Sequence, residues 1–178
     1  MVANVLFFSS ILVFALWIQF QYPPTLYEGE PMEAPEIFLG GSLPIMVVNV
    51  FLFNLVVSAF IFVTLSGLLF FAFPVVVLMW RAALWGGLLN LLPTPLFLAS
   101  LPRLVLEGEG YVLASVAGMT LGLSWLKPDW VYRSEGLSRQ EALRMSLKES
   151  VYLYVLVVVF LLVAAVVESI TIALTAGV

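Results

Sequence analysis

Long apolar runs separated by short polar breaks organise the chain. Residues 3–20, 44–65, 68–92, 104–126 and 151–174 are almost wholly aliphatic, aromatic or small. Each run approaches or exceeds the ~20 residues that a helix needs to cross the hydrocarbon core of a bilayer. The pattern predicts an all-α integral membrane protein: a single transmembrane domain, 1–178, of about five helices in one bundle. The first run lacks a basic leader and no small-x-small cleavage site follows it, so it reads as a retained span rather than a signal peptide.

The breaks supply the rest of the organisation. Residues 21–41 form a loop with Pro23, Pro24, Pro31 and Pro35, and with Glu28, Glu30, Glu33 and Glu36 but no Lys or Arg. It reads as a solvated acidic loop or, more sharply, a cation-attracting vestibule. Gly67 breaks the second run, Pro74 is expected to kink the third, and Pro93 and Pro95 end it. Leu96 to Val105 is too short to cross and is expected to be a surface or re-entrant piece. Residues 127–149 carry Lys127, Arg133, Arg139, Arg144 and Lys148, five of the seven basic residues. Ser138-x-x-Glu141 reads as a capping box that opens a short amphipathic helix with Leu143, Leu147 and Val151 on one face, expected to run on into the fifth span. Trp125, Trp130, Tyr132, Tyr152 and Tyr154 gather there as an aromatic belt. Basic loops stay cytoplasmic, which puts 127–149 and the N-terminus inside, and 21–41 and the C-terminus outside.

Composition sharpens this picture. The chain is 63% hydrophobic and 10% charged, with a mean hydropathy of +1.14; soluble domains carry about a quarter charged residues. With no cysteine and no histidine there is no thiolate, no imidazole base and no usual zinc ligand. No metal and no cofactor is expected. No basic patch suggests nucleic acid, and the expected partners are the lipid bilayer and other membrane proteins or further copies of this chain.

Charge within a span costs roughly 2.5–3.5 kcal/mol at mid-bilayer, so the charged residues inside the runs are the informative ones. Arg81 lies 13 residues beyond Leu68, about 20 Å by helix rise, and Glu168 lies 18 beyond Ser150, about 27 Å. Glu107 is near the outer end of a descending helix, and Asn54 lies ten residues below Pro44. These four, with Arg103 and Glu109 as accessories, are expected to share the outer half of the bilayer. Arg81 is expected to pair with Glu168 before Glu107, because Arg103 sits one turn from Glu107 on its own helix. The cluster reads as structural glue, or as a polar site for an ion, proton or lipid headgroup. Arg103 and Glu109 also have the simpler option of snorkelling to the surface. Gly110, Ala114, Gly118 and Gly122 form a small-residue stripe of the kind that lets helices approach closely in lipid.

Three short motifs resemble those of the stage II sporulation protein M family. Leu101-Pro102-x4-Glu107, followed by an apolar run to Gly118, is similar to its Leu-Pro-His-Gly helix with Glu four residues after His. Asn54-Leu55 resembles its Asn-Asn-Leu-Arg element, and Ala165-Val-Val-Glu168-Ser-Ile-Thr171 its closing Ile-Glu-x-x-x-Thr pattern. The resemblance spans Met46 to Thr171. The chain departs from the family pattern at Arg103, Leu104, Glu109 and Val56, and the closing Thr comes one residue early. The resemblance implies a membrane component of an envelope-remodelling complex of the kind spore formers use at the septum. Members also occur outside spore formers.

The expected function is therefore that of a non-enzymatic scaffold or assembly subunit. The alternative is a transporter or channel using the intramembrane carboxylates, against which stand the featureless inner halves of the helices and the lack of self-similar halves. An intramembrane hydrolase is disfavoured, since Glu107 and Glu109 point about 200° apart on a helix. The topology is directly testable: in sealed right-side-out vesicles, a cysteine replacing Glu30 should react with an impermeant thiol reagent, and one replacing Arg139 should not. Labelling at position 139 from outside would reverse the orientation.

Overall fold

The computed structural model describes residues 1–21, 42–91, 94–132 and 136–176, and all the regular structure among them is helical. The acidic loop from Tyr22 to Gly41, and Arg133 of the basic loop, lie outside the described residues. The helices are α1 (Val2–Gln21), α2 (Leu43–Leu69), α3 (Phe73–Leu91), α4 (Thr94–Leu126), the short α5 (Pro128–Val131) and α6 (Arg139–Ala176). Four of them, α1, α2, α4 and α6, contain stretches long and apolar enough to cross a membrane, and α3 supplies a shorter apolar helix.

Helix α4 is the axis of the bundle. It touches every other helix, and 61% of its apolar stretch is buried, against 17–28% for α1, α2 and α6. The outer helices turn large apolar side chains outward, as a lipid-facing surface requires. Side-chain pairs fix the directions. Arg103 meets Glu168 and Gly110 meets Leu161, so α6 runs antiparallel to α4. Thr64 bonds the carbonyl of Ala114, whereas Asn54 meets Glu107, so α2 runs parallel to it. Ser10 lies against Met79 and Gly87 against Ile18, so α1 runs parallel to α3.

Three boundaries differ from the sequence pattern, each for a local reason. The second helix passes through Gly67 and ends at Leu69, because Gly67 is buried against α4 rather than exposed as a breaker. Phe70 then turns extended (φ −156°, ψ 125°), and α3 begins at Phe73. Pro74 is therefore in the first turn, where its missing N–H would be unpaired anyway, and starts a helix instead of kinking one. Leu96 to Val105 is not re-entrant. It is part of one 33-residue α4 that carries Pro102 inside it. The amphipathic helix, by contrast, runs on into the last span as expected, in one 38-residue helix.

The middle of α2 is wound unusually wide. From Phe53 to Leu65 its backbone makes i→i+5 bonds, so a turn takes in between four and five residues instead of 3.6. The buried residues there are Asn54, Ser58, Ala59, Val63 and Thr64. At 100° per residue these would wander most of the way round an α-helix; the wider turn gathers them on the side facing α4.

That face meets the small-residue stripe. A Cβ on Gly118 would lie 2.8 Å from the Thr64 carbonyl oxygen and 2.9 Å from its Cα. One on Gly122 would collide with the Gly67 carbonyl, and Ala114 is fully buried. Two backbones thus touch with almost nothing between them, the close approach that small residues permit in lipid. Gly110 faces the other way, onto Leu161 of α6.

At the opposite end of the chain the capping box forms. The Ser138 hydroxyl and N–H donate to Glu141 Oε2 at 2.7 and 3.0 Å, and the Glu141 N–H returns to Ser138 Oγ at 3.4 Å. The serine hydroxyl, then its N–H, hold the Glu141 carboxyl below its ordinary range. The buried face that follows is Ala142, Ser146 and Ser150 rather than Leu143, Leu147 and Val151, of which Leu147 and Val151 are exposed. Small residues pack inward and the aliphatic ones face outward, the inverse of the soluble rule. Tyr154 also leaves the expected belt. It turns inward to Thr64 (2.6 Å) and the Ala59 carbonyl (3.4 Å). Gly118→Leu should therefore lower the melting temperature in mild detergent strongly, by the equivalent of about 3 kcal/mol or more, whereas Val116→Leu, on the exposed side of α4, should leave it nearly unchanged. Equal melting of the two variants would show that the stripe does not pack.

Candidate functional site

Helical spacing builds the site. Arg103, Glu107 and Tyr111 follow one another at i, i+4 and i+8 down α4, and so share a face. Arg81 and Trp85 do the same on α3, Asn54 stands near the start of the wide segment of α2, and Glu168 projects from α6. Because α3 starts at Phe73, Arg81 is only eight residues into its helix and ten from Leu91, about 12 and 15 Å from its two ends. It lies midway along its helix rather than high in it.

The structure brings Asn54, Arg81, Glu107 and Glu168 to one cavity of about 120 Å³, with Arg103 and Trp85 beside them. The partners differ from those the sequence suggested. The ion pair is Arg103 Nη1 to Glu168 Oε1, at 2.5 Å, and it is the one salt bridge among the described residues. Arg81 instead lies on aromatic rings. Its Cζ is 3.9 Å from the Tyr111 ring centroid and 5.4 Å from that of Trp85, within cation–π range. From there a chain of donors runs across the bundle. Arg81 Nη2 donates to the Tyr111 hydroxyl (2.7 Å), Tyr111 donates to Asn54 Oδ1 (2.9 Å), and Asn54 Nδ2 donates to Glu107 Oε1 (2.9 Å). Glu107 and Tyr111 are 3% and 0% exposed. Arg81 and Glu107 are thus joined through two neutral side chains.

Sequence reasoning passed over Tyr111 and Trp85. The signal was present: each is one turn from a charged residue on the same face, at Glu107+4 and Arg81+4. It also passed over Asn4, an amide in a run read as apolar. Asn4 Nδ2 donates to both oxygens of Glu109 at 2.7 Å, so Glu109 holds α1 to α4 rather than reaching the surface.

Two donors are left over. Arg81 Nε and Arg103 Nε are buried and have no acceptor, each a cost of about 1–3 kcal/mol when nothing meets it. Chemically, then, the site offers surplus guanidinium N–H groups and two carboxyl groups in hydrogen-bond reach of each other, Glu107, which also accepts from Asn54, and Glu168.

The ion pair and the aromatic berth of Arg81 separate cleanly in a double-mutant cycle. Arg103→Met and Glu168→Gln should each destabilise by about 1–3 kcal/mol through the partner left unpaired, and the double variant should recover much of it. Arg81→Met with Glu168→Gln should show the smaller coupling; the reverse order would assign the pair to Arg81.

Comparisons with known proteins bear on the whole chain. No solved structure and no curated protein matches it. The description Stage II sporulation protein M matches residues 3–171, so the match takes in α1 as well as the stretch carrying the three motifs. The chain belongs to the stage II sporulation protein M family.

Proposed function

We propose that this protein is a non-enzymatic, multi-pass subunit of the cell membrane that acts as a scaffold or assembly component, in keeping with the envelope-remodelling role that its resemblance to the stage II sporulation protein M family implies. One observation carries this reading: charged and amide side chains, together with Tyr111, bond from helix to helix. Asn54, Tyr111, Arg81 and Glu107 link α2, α3 and α4; Arg103 and Glu168 link α4 and α6; Asn4 and Glu109 tie in α1. Such a bundle turns its polar groups inward and leaves its outer faces to make contacts. The orientation that goes with it has the N-terminus cytoplasmic and the C-terminus external. It is supported by the grouping of Val2 with Trp130 and Val131 around one groove, and of Gln19 with Phe97 and Leu101 around another.

The cavity favours a second reading, a transporter or channel with a carboxylate site. Toward the basic end, however, Gly67, Gly118 and Gly122 bring α2 and α4 into backbone contact, which leaves little room for a polar path between those helices. Chemical cross-linking and gentle purification of the tagged chain should yield a homo-oligomer or a defined complex with other membrane proteins. A monodisperse monomer that captures nothing, together with proteoliposome flux that Glu107→Gln abolishes, would replace the scaffold with the transporter.

A further inference from the structure

Two carboxyl groups meet in this cavity, and they come from different helices. Glu107 of α4 and Glu168 of α6 are in side-chain hydrogen-bond contact, and both line the space of about 120 Å³. An ionised carboxylate only accepts hydrogen bonds. A bond between two of them therefore needs a proton on one.

The neighbours do not replace that proton. Asn54 of α2 donates to Glu107 Oε1, and Arg103 of α4 donates to Glu168 Oε1. Arg103 makes the one salt bridge among the described residues, so a single guanidinium serves two carboxyl groups. The other guanidinium, Arg81 of α3, donates through Nη2 to the Tyr111 hydroxyl and lies over the Tyr111 and Trp85 rings. Tyr111 donates onward to Asn54 Oδ1 and so is neutral. None of the described residues lining the cavity comes from α1, whose Asn4 holds Glu109 elsewhere on α4.

Glu107 is 3% exposed and the Glu168 side chain 18%. Two negative charges in contact there would repel with little water to screen them. With one proton shared, the two carboxyl groups carry one negative charge, matched by Arg103, as a buried ionic site requires. The rim lets that proton exchange with the outside: Phe53 is 48% exposed and the Arg103 side chain 33%.

We propose that Glu107 and Glu168 hold one proton between them, making the cavity a proton-binding site whose occupancy closes α6 onto α4. The shared proton is a hydrogen bond between two helices, beside the ion pair that joins the same two. Its loss sets two carboxylates face to face and opens the contact. The proposal needs neither an assembly partner nor a transported solute, and so stands or falls separately from the scaffold role.

The test uses the full chain in an ester-free detergent, followed by infrared spectroscopy as the pH is raised from neutral. At neutral pH the carbonyl band of a protonated carboxylic acid should be present, shift in heavy water, and vanish on alkalinisation. Glu107→Gln and Glu168→Gln should each remove it, because the carboxylate left behind then has Arg103 to itself. Glu109→Gln, whose partner is Asn4, should keep it. Melting temperature gives a second readout. It should fall in the parent chain as the band is lost, since the folded state binds a proton that the unfolded state gives up. Glu107→Gln should melt independently of pH over that range, because its amide donates to Glu168 with no proton to lose. An acid band missing from the parent chain at neutral pH overturns the proposal without any variant having to fold. A band that survives in both single variants, or one that Glu109→Gln removes, overturns it too.

Discussion

Everything in this bundle depends on one constraint. Hydrocarbon offers no hydrogen bonds, so any polar group a helix carries into it must find its partner within the protein. Glu107 is the sharpest case. It is almost fully buried on the central helix, and the chain that ends on it begins on α3 and passes through α4 and α2. Removing any link strands the next donor or acceptor. The helices are held less by apolar attraction, which lipid tails supply equally well, than by the need to keep this chain closed.

Close packing has the same origin. Where soluble helices bury leucine against leucine, α2 and α4 bury glycine against glycine, and the large side chains go outward. One end is locked by backbone contact and the Thr64–Tyr154 pair, the other by charge. Between the two, the wide winding of α2 keeps Asn54 and Thr64 on one side, so a single helix serves both locks.

Much of this was legible in the sequence, and the reasons for what was not are physical. The five apolar runs, the capping box at Ser138 and the inward stripe follow from composition and spacing alone. So did the identities of the buried charges, because cost marks them out. Their pairing did not follow, since it depends on rotation and register between helices. Depth arithmetic that took Leu68 as the start of α3 placed Arg81 too high, and no rule of spacing announces that Phe70 turns extended. Asn4 goes unnoticed and Tyr154 is placed in the belt because a polar atom within an apolar run carries no mark of which way it points. The wide segment of α2 has no sequence signature; it shows only in which residues end up buried.

The shared level of the charged groups has an electrical consequence. Work done by the transmembrane potential on a rearranging charge scales with the fraction of the membrane it crosses, about 2.3 kcal/mol per charge for a full crossing at 100 mV. Glu107 lies one helical turn from both Arg103 and Tyr111 on α4, and a turn is about 5.4 Å in a core of ~30 Å. A carboxylate or guanidinium that exchanged one of these partners for another would thus feel less than a fifth of the field, about 0.4 kcal/mol. That is below thermal energy. The site's internal bonding is set by chemistry at the cavity and is nearly blind to membrane voltage.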